Sequence, residues 1–267
     1  MYVRTRLGRW YYEEHGDPKG TPIVLWHSLL CDGGMWDAQI RTLAELGRVI
    51  VFDGPAHGRS EAPPPFTLWE NAEAIVDAFD ELKIDKAIWC GLSWGGMVGM
   101  RLAIAHPDRV RALVLLDTNA QRDSRYKRAK YTLLAQLIKP AGIPERLFMR
   151  AIAPLFFGER SFRERPELAD AMYRTLAGWP TAGISRVSMA VTVARDDVTE
   201  KLGSIRAPTL VIHGEDDRAI AMESARSIAS HIAGAKLVPI PFAGHLSTIE
   251  EPAAVNAALV PFVRAAL

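Results

Sequence analysis

An α/β fold with a mostly parallel central sheet flanked by helices is predicted by three features of this sequence. Short apolar runs alternate with helix-period segments in the first and last parts of the chain. Gly, Pro and Asp punctuate the joins. A long helical stretch interrupts the alternation once, between two apolar runs. Alternating buried strands and helices imply right-handed crossovers and parallel pairing.

Residues 2–6 alternate and turn at Leu7-Gly8 into Trp10-Tyr11-Tyr12, which reads as a hairpin. After the loop Asp17-Pro18-Lys19-Gly20, the run Ile23-Val24-Leu25-Trp26 is a buried strand. Trp36 to Leu46 has helical spacing and Gly47 ends it. Val49 to Phe52 is a strand, and Pro63-Pro64-Pro65 is a stiff loop. Leu68 to Leu82 is a helix whose apolar positions are Ile75, Val76, Phe79 and Leu82. Ala87 to Cys90 is a strand, Trp94 to His106 a helix stopped by Pro107, and Val110 to Leu116 a strand. From Gln121 to Thr199 the pattern is helical only. Thr209 to Ile212 resumes the strands, followed by a helix from Met222 to Ile232, a strand from Lys236 to Ile240 and a helix from Pro252 to Ala266. The expected division is a core of residues 1–120 and 200–267, with 121–199 inserted as a helical cap. Its expected seat is over the C-terminal strand ends, where open α/β sheets bind ligands.

The chain has 267 residues, 49% of them hydrophobic, which suits one large domain with an inserted cap. Its 32 basic residues balance 31 acidic ones, which argues against nucleic acid as a partner. No apolar run is long enough for a bilayer, and Met1 to Gly8 has no signal-peptide core. Cys31 and Cys90 are too few for a disulfide scaffold and are expected as buried, reduced thiols. The expectation is a soluble, cytoplasmic protein with neither membrane nor nucleic-acid partner; its oligomeric state is left open.

Gly91-Leu92-Ser93-Trp94-Gly95 fits G-x-S-x-G, with Gly96 following, between a predicted strand and a predicted helix. That context is what the motif requires. A turn this sharp strains the nucleophile's backbone, and small neighbours leave room for it. Ser93 would then project its hydroxyl above the sheet, with the helix N-terminus offering free N–H groups to an oxyanion.

On these residues the sequence resembles the α/β-hydrolase superfamily over nearly its whole length. A serine needs a base, and histidine is suited to that task by its ordinary pKa near 6.5. Of the seven histidines, His245 in Phe242-Ala243-Gly244-His245-Leu246 lies between the last strand and last helix, where it resembles the superfamily's catalytic histidine. His15, His106 and His231 lie near loop or helix ends, and His213 ends a strand. The base needs a carboxylate to orient it. In His213-Gly214-Glu215-Asp216-Asp217 the resemblance implies Asp217, with Asp216 and Asp117 as alternatives.

The resemblance also implies oxyanion donors at the backbone N–H of Leu29, after His27-Ser28, and of Trp94. Asp53-Gly54-Pro55-Ala56-His57-Gly58-Arg59-Ser60 is similar to a structural loop of the superfamily, with Ala56 where glycine is usual. His27 and His57 are read as loop-fixing. A finer resemblance, to 3-oxoadipate enol-lactonases and neighbouring esterases, rests on His27-Ser28-Leu29, Met35-Trp36-Asp37, Gly95-Gly96-Met97-Val98-Gly99, Gly244-His245-Leu246-Ser247, Ile249-Glu250 and Pro252. Leu30 replaces an expected glycine, Trp94 a common methionine, and residues 121–199 match no cap motif. These departures are expected to line the pocket and so bear on substrate more than on chemistry.

Residues 121–199 carry 14 Lys and Arg against 8 Asp and Glu, an excess of 6. That excess fits a solvated face, or an arginine paired with a substrate carboxylate. Leu155, Phe156, Phe157, Trp179 and Met189 are candidates for an acyl pocket or for packing. The expected activity is cleavage of a small ester or lactone by Ser93, His245 and Asp217, with no cofactor and no metal. Ser93 excludes relatives that use an aspartate nucleophile. The Gly-rich oxyanion loop of carbon–carbon bond hydrolases does not follow His27, and no acidic cluster is placed to bind a peptidase's amine. A ligand receptor with little turnover and a cofactor-free haloperoxidase activity are the alternatives.

Overall fold

The computed structural model describes residues 1–138 and 142–267, so the cap reading at 139–141 lies outside the described residues. A hairpin of β1 (Tyr2–Thr5) and β2 (Gly8–Gly16) opens the chain. Then come β3 (Pro22–Trp26), α1 (Asp37–Ala44), β4 (Arg48–Phe52), α2 (Leu68–Glu81), β5 (Ala87–Leu92), α3 (Trp94–Ala105) and β6 (Val110–Leu116). The stretch between β6 and the next strand holds α4 (Arg125–Ile138), α5 (Glu145–Leu147), α6 (Ala153–Phe156), α7 (Glu159–Glu164), α8 (Pro166–Ala177) and α9 (Thr181–Ser188). The chain closes with β7 (Thr209–Gly214), α10 (Met222–His231), β8 (Lys236–Ile240), α11 (Ser247–Glu250) and α12 (Pro252–Ala265).

One eight-stranded sheet runs in the order β1-β2-β4-β3-β5-β6-β7-β8. β1, β2 and β4 pair antiparallel in succession; β4 and every later strand in that order pair parallel. The chain moves outward from β3 to β4, then crosses back to lay β5 on the other side of β3. The strand order therefore reverses between β3 and β5, and such a reversal opens a crevice at the C-terminal strand ends. Both loops that leave these two strands carry candidate site residues.

The central strands are buried on both faces, as continuous apolar runs require. α1 packs with α12, and α2 with α3. Thr67 and Glu70 cap α2 reciprocally, each side chain taking the other residue's N–H. Among the largest fully buried side chains are Trp10, Trp26, Trp89 and Trp94. Trp26 stacks on Trp89 at 5.8 Å and meets Trp10 and Trp94 edge-on at 5.2 and 5.5 Å. Such pairs add about 0.5–1.5 kcal/mol each beyond burial. Cys31 and Cys90 are buried and unpaired, and burial pushes both thiols well above the ordinary range. Among the described residues no helix is long and apolar enough to cross a membrane.

Two residues that replace glycine are left-handed: Leu30 has φ 65° and Ala56 φ 62°. A β-carbon in that region costs about 1–2 kcal/mol. Ala56→Gly removes that strain and returns part of the gain to the more flexible unfolded chain. We expect a net gain of up to about 1 kcal/mol, read as a rise of about 2–4 °C in the thermal midpoint. An unchanged or lower midpoint contradicts the strain assigned to Ala56.

Candidate active site

Ser93 sits between β5 and α3 with φ 54° and ψ −108°, a conformation that non-glycine residues rarely hold. Its surroundings impose it. The Ser93 N–H donates to the Leu116 carbonyl at 2.8 Å. The Ser93 carbonyl accepts from the Met97 N–H at 2.9 Å and the Thr118 hydroxyl at 2.7 Å. The chain can turn this tightly because its neighbours lack side chains. A β-carbon on Gly91 would lie 2.2 Å from the Gly95 carbonyl carbon, and one on Gly95 would lie 2.4 Å from the Trp26 oxygen.

Sheet register brings the other groups to the same level. Leu92 pairs with Leu116, and Leu116 with Ile212. Ser93, Asp117 and His213 are therefore the next residues on three adjacent strands, spaced about 4.8 Å apart. Asp217 follows one turn later. Its Oδ2 lies 2.8 Å from His245 Nδ1, and its Oδ1 accepts from the Ala219 and Ile220 amides at 2.8 and 2.9 Å. Both side chains are buried. Asp216 is exposed, and its amide donates to the Ala243 carbonyl at 2.8 Å. Asp117 is buried, but its carboxyl meets the Gly214 N–H at 2.7 Å and the Ser247 hydroxyl rather than His245.

The charges follow from these contacts. Burial alone would lower the His245 pKa. The charge of Asp217 and its hydrogen bond, helped by Asp117 and Glu250, outweigh burial and raise it. Burial, reinforced by the nearby Asp217 charge, pushes the Asp117 carboxyl well above the usual range. Ligand atoms of Asp117, His213 and Asp217 lie within 4.8 Å of one another. The carboxylates of that group are already engaged by Gly214, Ser247, Ala219, Ile220 and His245, a hydrogen-bonded network rather than an open cation cage.

On the far side of Ser93, two buried imidazoles fix the loop after β3. His27 Nδ1 donates to the Ser28 carbonyl, and its Nε2 accepts from the Gly54 N–H, both at 2.7 Å. His57 Nδ1 donates to the Pro55 carbonyl at 2.9 Å, and its Nε2 accepts from the Leu30 N–H at 3.1 Å. Each ring thus stitches the loop at 27–31 to the loop at 53–60. Each needs one protonated and one bare nitrogen. Burial lowers His27 to about 4 and, with the His27 charge, His57 to about 3. Leu29 lies in the loop so held, and Trp94 opens α3. Neither amide has a hydrogen-bond acceptor among the described residues.

Trp94, expected to line the pocket, is fully buried. Its indole N–H donates to Asn71 Oδ1 at 3.1 Å and its ring packs against His27 and His57 at 5.4 and 5.2 Å. The helical stretch between β6 and β7, called the insertion below, reaches the same place. Trp179 meets His57 edge-on at 5.2 Å, and Phe156 meets His245 edge-on at 5.3 Å. Phe157 is buried, while Leu155 is exposed. The insertion's last turn is anchored by Asp196, which takes the buried Arg101 guanidinium and the Trp69 N–H. Arg195 is buried and paired with Asp123 at 3.0 Å, so it is not a free cation over the pocket. Sequence reasoning assigned no role to Asn71, Thr118 or the buried Glu250; the one signal at Glu250 was the Ile249-Glu250 pair behind the finer resemblance.

A strained serine elbow at a sheet reversal, inside a chain whose family model for the α/β-hydrolase fold matches residues 21–252, defines this protein as a member of the α/β-hydrolase family. It is similar to 3-oxoadipate enol-lactonase 1 of Acinetobacter baylyi, 28% identical over 94% of this chain and 92% of that protein. A thermophilic esterase from Thermogutta terrifontis superposes with a TM-score of 0.92 at 28% identity, over 100% of this chain and 98% of the other. The enol-lactonase from Burkholderia xenovorans gives 0.90 at 29% identity, over 98% and 99%.

The two loop histidines make stability pH-dependent. Their folded pKa values lie below the unfolded value near 6.5, so the unfolded chain binds more protons between pH 6.5 and about 3–4. Stability therefore falls as pH drops through that window. Urea titrations from pH 7 to 4 should show this loss, and His57→Gln, which keeps an acceptor for Leu30, should flatten it. An equally steep loss in that variant removes His57 as a cause.

Proposed function

We propose that this α/β-family hydrolase cleaves a carboxylic ester or lactone through an acyl-enzyme on Ser93. The observation that carries the reading is the buried 2.8 Å contact of His245 Nδ1 with Asp217, level with the strained Ser93 elbow. That contact fixes the proton on Nδ1 and leaves Nε2 bare, which is the tautomer a base needs. Ser93 Oγ attacks the carbonyl carbon while His245 Nε2 takes its proton. The tetrahedral oxyanion is held by the Leu29 and Trp94 amides; losing one such donor typically costs about 3–4 kcal/mol. Collapse expels the alkoxide, which takes the proton from His245. Water, deprotonated by the same imidazole, then releases the acid and restores the serine. With a lactone the expelled hydroxyl stays tethered to the acyl group until that second step.

The similarity to an esterase and to enol-lactonases supports this substrate class from two sides. The paired Arg195 does not favour a carboxylate-bearing substrate over a neutral one. The contact of Phe156 with His245 favours an apolar surface beside the base.

A panel of p-nitrophenyl esters and lactones tests the reading. Ser93→Ala should lose about four orders of magnitude in kcat or more. Full activity in that variant ends the proposal. Asp217→Asn should lose about 10⁴-fold through the wrong imidazole tautomer. Asp117→Asn should stay within about tenfold of wild type, because its carboxyl bonds Gly214 and Ser247 rather than His245. A reversal of these two outcomes moves the acid to Asp117.

The pH profile follows from the charges. His245 must be neutral to accept the serine's proton, and its pKa is raised. The acidic limb of kcat/KM should therefore lie above pH 6.5. A limb below 6.5 argues against a base paired with an ionised carboxylate.

A further inference from the structure

The mechanism above leaves one buried acid unused. Glu250, the last residue of α11, is 1% exposed. Its Oε1 accepts from the Gly244 N–H at 3.0 Å, the residue before His245. Its Oε2 accepts from the Gly158 N–H at 2.8 Å, between α6 and α7 of the insertion. Burial raises the Glu250 pKa, and these two amides, with the nearby Ser161 hydroxyl and Leu246 amide, offset part of that rise. Every partner is a donor, so the carboxylate matches the site and a neutral carboxyl would leave a donor unmet. Both of its oxygens are needed: one holds the histidine loop, the other the insertion.

The two chains touch directly beside this carboxylate. A β-carbon on Gly244 would lie 2.2 Å from the Gly158 nitrogen, and one on Gly158 would lie 3.0 Å from the Gly244 nitrogen. The Leu246 N–H donates to the Phe156 carbonyl at 3.1 Å, while the Phe156 ring rests on His245. Arg165 of the insertion donates to the Glu250 carbonyl and to Ser161, each at 2.8 Å. Of the two residues flanking His245, Gly244 is therefore bonded to the Glu250 carboxylate and Leu246 to the insertion.

We propose that Glu250 is a positioning residue for the base, a clasp through which the insertion's seat on the core sets where the His245 imidazole stands. The inference rests on the reading of His245 as the base. It gives the insertion a task beyond covering the pocket: its segment 156–165 forms one wall of the histidine loop. Displacing that segment displaces the imidazole, and a shift of about 1 Å in a catalytic group costs up to about 10²-fold in rate.

Glu250 also acts by charge. Its carboxylate favours the His245 imidazolium, as do Asp217 and Asp117, and His245 in turn helps lower the His213 pKa. Around Glu250 itself stand Arg165 on the insertion, Glu251 next in sequence, which lies 3.8 Å from Arg165, and the more distant Arg218–Glu159 pair. Removing the Glu250 charge should thus lower the His245 pKa.

The test compares Glu250→Gln with Gly158→Ala, each checked for native circular dichroism. Gln keeps the shape but presents an amide donor to one of two N–H groups. We expect kcat on the best ester to fall by about tenfold or more with KM within about twofold, because positioning and not binding is lost. The acidic limb should move to lower pH. Gly158→Ala pushes the insertion from the loop without altering charge, so kcat should fall while the limb stays in place. A scaffold role alone would not move the limb. Independently of turnover, NMR titration of the His245 ring in Glu250→Gln should show its pKa lowered. If wild type hydrolyses nothing, the functional reading fails and the titration still decides the clasp. Wild-type kcat and limb in folded Glu250→Gln, or an unmoved His245 titration, overturns it. If that variant does not fold, wild-type kcat in Gly158→Ala overturns it.

Discussion

The backbone of Ser93 is the constraint on which the rest of the site depends. A residue with φ 54° persists only where its surroundings over-determine it. Here Leu116 and Thr118 at the end of β6 and Met97 on α3 hold its amide and carbonyl. The elbow can close only because β3, β5 and α3 come within backbone contact at Gly91 and Gly95. The strain is thus supported by the most buried part of the molecule. That support explains why so much aromatic volume, Trp26, Trp89 and Trp94, lies directly beneath the turn.

From that point the site is organised as two arms. One arm, along β6 and β7, carries the acids: Asp117, Asp217 and His245 share a buried network, with His213 beside the two carboxylates. The other, along the loops after β3 and β4, is neutral: His27 and His57 carry no charge and act as fixed brackets between loops. Both arms contain buried histidine, and burial depresses each of them. Of His27, His57 and His245, His245 is the one hydrogen-bonded to a carboxylate, and its pKa is raised; His213, 3.7 Å from Asp217 but bonded to the Ile220 carbonyl, stays lowered. The difference between His245 and the two brackets is therefore electrostatic and not a matter of residue type.

Much of this arrangement is legible in the sequence, and the parts that are not share a cause. The strand–turn–helix context of Ser93 is local, so Gly91 to Gly95 announces it. The helices between β6 and β7 are legible because helix-period segments replace apolar runs over many residues. Asp217 and Asp216 are indistinguishable by composition; which of them faces the imidazole depends on how one turn after β7 rotates. The pairing of His27 with Gly54, and of His57 with Leu30, joins segments 27 residues apart and leaves no periodic trace. Leu30 and Ala56 hide their left-handed turns because neither is the glycine that would mark one. Trp94 looked like a pocket residue from its place in the motif, but the helix rotation after the elbow sends its ring inward to Asn71.

The two cysteines, buried without partners and with thiols that resist ionisation, have a practical corollary. Thiolate is the form that alkylating dyes attack, so the native molecule is close to silent toward them. A single cysteine engineered on an exposed turn of the insertion would be the dominant labelling handle. A reporter there could follow in real time whether this segment lifts away when a substrate enters.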